Sequence, residues 1–235
     1  MIAIFKRELK AYFISPVGYI FIAVFLCVSG FLFSMSTLKA GEGSSVASWF
    51  MFVLIMFIVL IPLLTMRLLS EDRKSKTEQV LLTSPVTLGG VIFGKFLAAY
   101  VVFAGTFLVS CLNCLILYKY TEPNTAIIFG NMIAILLIGG AFIAIGLFIS
   151  ATTENQLIAA IITIFAILGL LIVGQLSNYV DNYVLRVIID SISVMSRYSY
   201  FTYGLFDINS TIYYVSIMAI FLFLTIRIYE KRRWS

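Results

Sequence analysis

MRLLSEDRKSKTEQVLLTSPVTLGGVIFGKFLA, at residues 66–98, is the one charge-dense stretch of a chain otherwise made of long apolar runs. Of the 235 residues, 62% are hydrophobic and 11% charged, whereas soluble domains are roughly 45–50% apolar and 25% charged. The chain is therefore predicted to be an integral membrane protein. This stretch is predicted to be a hydrophilic connection between two spans, on which a soluble partner can act.

Six apolar runs are long enough to cross a bilayer. A helix needs about 20 predominantly apolar residues to do so, because unpaired backbone amides are costly in lipid and a helix pairs its own. The first run is longer than the apolar core of a secretory signal, so we do not expect it to be cleaved. The sequence predicts an all-α membrane protein, one domain over residues 1–235, with six transmembrane helices at 18–38, 49–69, 96–118, 126–150, 156–176 and 211–229.

Basic residues are distributed unevenly between the two sides of these spans. Six spans place both termini on one side, where twelve Lys and Arg residues fall against four on the other. This bias predicts that both termini and residues 66–98 are cytoplasmic, in a plasma or inner membrane. The net charge of +5 indicates no nucleic-acid partner, since the basic residues flank spans where anionic lipid headgroups lie.

Residues 1–16 are predicted to form an interfacial helix that Ser15 and Pro16 end. Its apolar face is expected in the acyl boundary and its basic face toward water. An alternative is a frayed basic lead-in to the first span. The apolar sector consists of Ile2, Phe5, Leu9, Tyr12 and Phe13, and the basic sector of Lys6, Arg7 and Lys10.

Residues 70–88 are predicted to form a cytoplasmic elbow that carries a short helix. Ser75 and Glu78 have the spacing of a capping box, which starts a helix at the next residue. Val80, Leu81 and Leu82 give that helix an apolar side, and Pro85 ends it. Because two helical turns are marginal alone in water, we expect another protein to hold them.

The longest connection on the other side, residues 177–210, is predicted to contain an amphipathic helix at the outer interface. Arg186 and Asp190 are placed as an i,i+4 ion pair on its polar face. The alternative is a solvated loop with an anchoring belt of aromatic residues. The apolar face consists of Leu185, Ile188, Ile189, Ile192 and Met195, and the aromatic residues that follow are Tyr198, Tyr200, Phe201 and Tyr203.

Small residues cluster in spans four and five. Lipid gives helices no hydrophobic reason to associate, so close approach at small residues holds them together. We expect packing faces at Gly139, Gly140, Ala141, Ala144 and Gly146 of span four, and at Ala159, Ala160, Ala166 and Gly169 of span five.

Residues that could carry catalysis are few, and none is predicted as catalytic, cofactor-binding or metal-binding. The chain has no histidine, which removes the commonest general base and metal ligand. The string that ends in Gly94 and Lys95 nearly matches a phosphate-binding loop, but Phe96 stands where a hydroxyl must reach magnesium. Cys111 and Cys114 are expected to be buried, unreactive thiols.

The interiors of the six spans also contain no carboxylate. Proton- or sodium-driven carriers usually need one there, so the chain has no visible energy source of its own. Asn113 and Gln175 are the most suggestive polar residues within spans. They are interpreted as interhelical hydrogen-bonding groups, with a polar substrate path as the alternative.

Four stretches of the sequence resemble the permease subunits of type-2 ABC transporters. These are FKRELKAYFISPVGYI at 5–20, RLLSEDRKSKTEQVLLTSPVTLGGVIFGKFLAA at 67–99, ISATTENQLIAA at 149–160, and GLFDINSTIYYVSIMAIFLFLTIRIYEKRRW at 204–234. Among such permeases the chain is most similar to the gliding-motility-associated branch. That similarity does not predict gliding.

The resemblance implies a connecting helix at 1–13, a coupling helix at about 76–84 seated in a cytoplasmic ABC ATPase, and a re-entrant hairpin within 177–210. It also implies two ATPase subunits, which bind ATP and magnesium, and a second permease subunit, identical or related, with an external accessory protein as a further partner. This chain then binds no cofactor itself. The residues expected to dock on the ATPase are Arg73, Glu78, Val80 and Leu81, with Glu154 in the second cytoplasmic turn, and those expected at the membrane interface are Phe5, Lys6, Arg7, Leu9 and Lys10.

The function predicted on this basis is ATP-driven export of an unidentified substrate, with hydrolysis on a separate chain. One alternative is a scaffold or mechanotransmission subunit that passes ATPase strokes to an external partner without moving cargo. A stand-alone channel or ion-coupled carrier is the third hypothesis.

Overall fold

The computed structural model describes residues 1–38, 46–77, 87–117, 124–176, 182–204 and 206–234, apart from the side chains of 175, 176, 183–185, 187, 188 and 234. In this part of the chain the regular structure is helical throughout. The helices are α1 (Ile2–Ile14), α2 (Pro16–Phe33) with a π-helical end (Ser34–Leu38), α3 (Val46–Thr65), α4 (Ser70–Lys74), α5 (Leu88–Cys111), α6 (Asn113–Leu117), α7 (Thr125–Thr152), α8 (Gln156–Leu176), α9 (Tyr183–Ile192), α10 (Val194–Thr202) and α11 (Ile208–Trp234).

The described residues contain six helical segments long and apolar enough to cross a membrane. They confirm the predicted all-α fold with six spans. The two cytoplasmic-type connections that the sequence predicts fall after the second and fourth segments. The segments are Pro16–Thr37, Val46–Lys74, Leu88–Leu117, Thr125–Thr152, Gln156–Gly174 and Ile208–Arg233.

Helix α7, the fourth span, is the centre of the bundle. Of the residues in its most apolar stretch, 72% are buried inside the protein, whereas the corresponding share is 17% in each of the last two spans. Helix α7 packs against α3, α5, α8, α10 and α11. A Cβ on Gly139 would lie 2.2 Å from Cζ of Phe103, and one on Gly146 would lie 2.3 Å from Oγ1 of Thr65. The predicted packing role of glycines in span four is therefore confirmed, whereas a Cβ on Gly169 of span five meets nothing within 4 Å.

Helix α1 begins and ends as predicted, but only part of its apolar face is turned away from the protein. Ser15 is extended and Pro16 is the first residue of α2. Phe5 and Leu9 pack against the protein core and Tyr12 is buried, whereas Ile2 and Phe13 are 67% and 47% exposed, so the expectation that the whole face lies in lipid is wrong for its middle. The reason is a specific contact, since the Tyr12 hydroxyl donates a hydrogen bond of 2.8 Å to the carbonyl of Leu64 near the end of α3.

The outer connection folds as two helices, α9 and α10, where the sequence predicts one amphipathic helix through Met195. Ser193 lies at the break, is buried, and accepts a 3.1 Å hydrogen bond from the amide of Ser196. The hydroxyls of Tyr213 and Tyr214 on α11 donate to the carbonyls on either side of the break, those of Ile192 and Val194. These contacts come from a distant part of the chain, which is why local periodicity does not show the break.

Two further features of this hairpin differ from the expectation. In the described structure Arg186 and Asp190 do not form the predicted ion pair, and Oδ1 of Asp190 instead accepts from the Ser196 hydroxyl at 3.5 Å. The aromatic residues are not a uniform belt, since Tyr198 is buried while Tyr203 is 77% exposed. The hydroxyl of Tyr198 donates a 2.6 Å hydrogen bond to Oδ1 of Asn131, a fully buried amide on α7.

Candidate functional site at the charged end of the bundle

One end of the bundle, called here the charged end, gathers α1, α4, the start of α5, the turn at 153–155 and the last turns of α11. Most of the described ion pairs lie there. This end contains the described part of the predicted cytoplasmic elbow, residues 70–77 and 87–88, together with the predicted second cytoplasmic turn, and it is the candidate functional site.

Lys95 is the central residue of the site. Its side chain is 2% exposed, and its Nζ atom lies 2.7 Å from the carbonyl oxygen of Leu68, 2.8 Å from Oδ2 of Asp72 and 3.1 Å from Oε1 of Glu8. An ammonium group has three protons to donate, and a buried charge is tolerated only when it is paired and hydrogen-bonded. Lys95 thus joins α5 to α1 and to the segment that follows α3.

The second carboxylate of this cluster has a cation of its own. Arg7 donates to Oε1 of Glu8 at 2.7 Å, so two carboxylates face two cations. The hydrogen bond to Glu8 is the main reason that the pKa of Arg7 is raised above its ordinary value. Mutual pairing therefore offsets the cost of bringing these charges together away from water.

The sequence of α5 explains how Lys95 reaches this position. Ile92 and Phe96, three residues before and one after, are buried on the same side of the helix. Gly94 allows α1 to approach, because a Cβ there would lie 3.3 Å from Cγ2 of Ile4. The Gly-Lys pair that resembles a phosphate-binding loop thus serves helix packing and an ion cluster.

Ser150, at the end of α7, holds the start of α4. Its Oγ atom accepts hydrogen bonds from the amides of Leu69 at 3.2 Å and Ser70 at 3.1 Å, and donates to the carbonyl of Met66 at 3.2 Å. The first amides of a helix have no partner within it. Ser150 supplies that partner from the fourth span, so α4 is fixed to the centre of the bundle.

Arg73 connects α4 to the second cytoplasmic turn. Its guanidinium donates to the carbonyl of Thr152 at 3.0 Å and lies 2.9 Å from Oε1 of Glu154. Arg232 of α11 donates to the carbonyl of Ala151 at 2.7 Å. The end of α7 is thereby held from both sides, by α4 and by α11.

The structure places the predicted site residues as follows. It brings Arg73 and Glu154 together, while Glu78, Val80 and Leu81 lie outside the described residues. Asn113 is half-buried at the start of α6, and its side chain forms no hydrogen bond with a described residue. The side chain of Gln175 is not among those described. On α1, Phe5 and Leu9 face the core, whereas Lys6, Arg7 and Lys10 are exposed.

Ser75 ends α4 in the described structure. It is the C-cap of α4, and its hydroxyl donates to the carbonyl of Glu71 at 2.8 Å. Lys76 then adopts a left-handed backbone with φ of 57°. Glu78 lies outside the described residues, so the predicted capping box, with Ser75 as the N-cap of a following helix, stays a prediction.

Sequence reasoning missed Glu8, Asp72, Ser150 and the role of Lys95. A signal existed for Glu8, since an acidic residue at helical spacing from Phe5 and Tyr12 interrupts an apolar sector. No local signal marks Asp72 or Ser150, because their partners are distant in sequence. Among the described residues no group of His, Cys, Asp and Glu is arranged to hold a metal ion.

The comparisons with known proteins bear on the family to which the chain belongs. None of the curated proteins compared with the chain matches it. The family model described as ABC-2 family transporter protein matches residues 2–233, nearly the whole length. The chain therefore belongs to the ABC-2 family of transporter proteins and is a multi-pass membrane permease subunit of an ABC transporter.

Proposed function

We propose that this permease couples ATP hydrolysis on a separate cytoplasmic ATPase to export of a substrate across the membrane. Members of the family work with such an ATPase. In the proposed assembly two ATPase subunits bind ATP and magnesium, and a second permease, identical or related, completes the path. The similarity to gliding-motility-associated permeases is part of this proposal and names no cargo.

The observation that carries the proposal is the double contact of Asp72. Its Oδ1 atom accepts from the hydroxyl of Thr77 at 3.1 Å, and its Oδ2 atom pairs with Lys95 at 2.8 Å. Thr77 precedes and α5 follows residues 78–86, the segment proposed to dock on the ATPase. Both attachments of that segment are thus joined at one carboxylate.

The contacts around Asp72 extend this attachment into the spans. Lys95 reaches α1 through Glu8, and Ser150 fixes α4 to α7. In this proposal a displacement of residues 78–86 is passed through Thr77 and α5 to α1, α4, α5 and α7 together. Such an arrangement suits a subunit driven from the cytoplasm and is unnecessary for a stand-alone channel.

Co-purification with the ATPase tests the docking assignment. Glu78→Lys combined with Leu81→Asp is expected to release the ATPase and leave the permease folded. Glu230→Lys, an exposed charge reversal at the same end of the bundle, serves as the matched control and should retain it. If the double variant still co-purifies with the ATPase, residues 78–86 are not the docking segment.

Reconstitution of the complex in liposomes separates export from the scaffold alternative. With fluorescent lipid, peptide and dye probes, a transporter moves at least one probe in an ATP-dependent manner. A scaffold subunit hydrolyses ATP while no probe crosses. Gradient-driven flux without any ATPase would instead support a channel or carrier.

The proposed orientation places the charged end in the cytoplasm. In a background without native cysteines, Ser75→Cys should react with an impermeant maleimide only from the cytoplasm, and Tyr203→Cys only from outside. Both positions are exposed, whereas Ser193 is buried and unsuitable for labelling. The reverse pattern would invert the assigned topology.

A further inference from the structure

An apolar groove of about 420 Å³ lies on the outside of the bundle between α1, α2 and α5. Leu9 and Phe13 form the wall on α1, Ile22 the wall on α2 and Val101 the wall on α5. Gly105 lines it too, and a Cβ built there meets no atom within 4 Å. Because α2 and α5 are membrane spans, this groove is open to the hydrocarbon of the bilayer.

The end of the groove at α1 has a basic rim. Successive residues of an α-helix are turned by about 100°, so Lys6 lies about 20° and Lys10 about 60° around α1 from Phe13. Both lysines are exposed, and within the described part of the chain neither forms an ion pair. Arg7, by contrast, is turned further away and is paired with Glu8.

We propose that this groove binds one acyl chain of an anionic phospholipid whose phosphate lies on Lys6 and Lys10. A water molecule occupies about 30 Å³ in the liquid, and a methylene group takes about the same, so the groove has room for much of an acyl chain. The two ammonium groups attract an anionic headgroup at the membrane surface. The inference does not depend on the ATPase, on the cargo or on the direction of transport.

Lipid retention by the full-length protein tests this site. Native mass spectrometry in detergent is carried out with phosphatidylglycerol and with phosphatidylcholine. Each lysine near the membrane surface raises the affinity for an anionic lipid about fivefold. With two such lysines, the wild type should bind phosphatidylglycerol roughly 25-fold more tightly than phosphatidylcholine. Lys6→Gln combined with Lys10→Gln should remove that preference, and Lys74→Gln, an exposed lysine on α4, should keep it.

Filling the groove tests the acyl-chain half of the proposal. Gly105→Leu should lose most of the bound lipid of either class, because the new side chain occupies the open space without a clash. Gly169→Leu is the matched control, since its Cβ also meets nothing within 4 Å but lies on α8, away from the groove. Circular dichroism and thermal unfolding verify that each variant is folded.

Three results would overturn the proposal. The first is undiminished phosphatidylglycerol on the Gly105→Leu variant, and the second is an unchanged lipid preference in the double lysine variant. The third is a wild-type dimer that Gly105→Leu converts to monomers with no loss of lipid, because the groove is then covered by a second copy of the chain. A photoreactive phosphatidylglycerol that carries a diazirine in its acyl chain should crosslink to residues 101–109 if the proposal holds.

Discussion

The Nζ atom of Lys95 lies 2.8 Å from Oδ2 of Asp72, so the start of α5 is joined directly to α4. Both side chains are mostly shielded from water, at 2% and 17% exposure. Replacing Lys95 by methionine would leave Asp72 without its cation and Glu8 with Arg7 alone. Removing one partner of a buried pair costs about 3–5 kcal/mol, and we expect Lys95→Met to lower the free energy of unfolding by that amount.

Denaturant unfolding in detergent measures this loss. The triple variant Lys95→Met, Glu8→Gln, Asp72→Asn should regain much of the stability, because it removes the uncompensated charges. A single variant as stable as the wild type would show that the cluster does not hold the charged end together.

Ser150 is expected to control the local stability of α4. Ser150→Ala leaves the amides of Leu69 and Ser70 without their acceptor, which costs about 1–3 kcal/mol for a buried group. Hydrogen exchange at these two amides should accelerate, while exchange in the centre of α7 stays slow. Ser199→Ala removes an exposed hydroxyl that donates only within its own helix and serves as control. Equal exchange in both variants would contradict the prediction.

The contact of Gly139 with Phe103 is expected to be intolerant of a methyl group. Alanine has the better helix propensity, yet Gly139→Ala should destabilise the protein by about 1–3 kcal/mol through overpacking. Phe103→Leu removes the ring atoms that the new Cβ would meet. The double variant should therefore lose less unfolding free energy than the two single variants lose together. If the losses of the two single variants add up to that of the double variant, the contact of Gly139 with Phe103 is not the source of the strain.

Tyr12 is expected to make stability fall at alkaline pH. Burial, assisted by the nearby Glu8 carboxylate, raises the pKa of Tyr12 above its ordinary value. The unfolded tyrosine ionises near pH 10. Above that pH the unfolded state binds fewer protons than the folded state, so stability decreases as pH rises.

The variant Tyr12→Phe isolates this contribution. It should lose about 1 kcal/mol at neutral pH, because the hydrogen bond to Leu64 is gone. Above pH 10 its decline should be shallower than that of the wild type by up to about 1.4 kcal/mol per pH unit. Tyr200→Phe, at an exposed position, controls for the loss of one phenol. Parallel pH curves for Tyr12→Phe and the wild type would contradict the assignment.

The spans and the break at Ser15 and Pro16 could be predicted because they depend on local composition and backbone restriction. The orientation of α1 could not, since its apolar sector can face either lipid or protein. That choice is made by the Leu64 carbonyl and by Lys95, which are far away in sequence.

The location of the candidate site could be predicted from the sequence, but most of its contacts could not. The charge of residues 66–98 marks the right end of the bundle, and Arg73 and Glu154 do lie together there. Their docking role stays a prediction. The contacts of Ser150 and Asp72 join elements that no periodicity relates.

Helix α11 is bonded at both of its ends to other parts of the protein. Arg232 holds the last turn of α7, and Tyr213 and Tyr214 hold the carbonyls at the break between α9 and α10. At about 1.5 Å per residue, its 27 residues form a rod of roughly 40 Å. Helix α11 therefore ties the end of α7 at one end of the bundle to the break between α9 and α10 at the other.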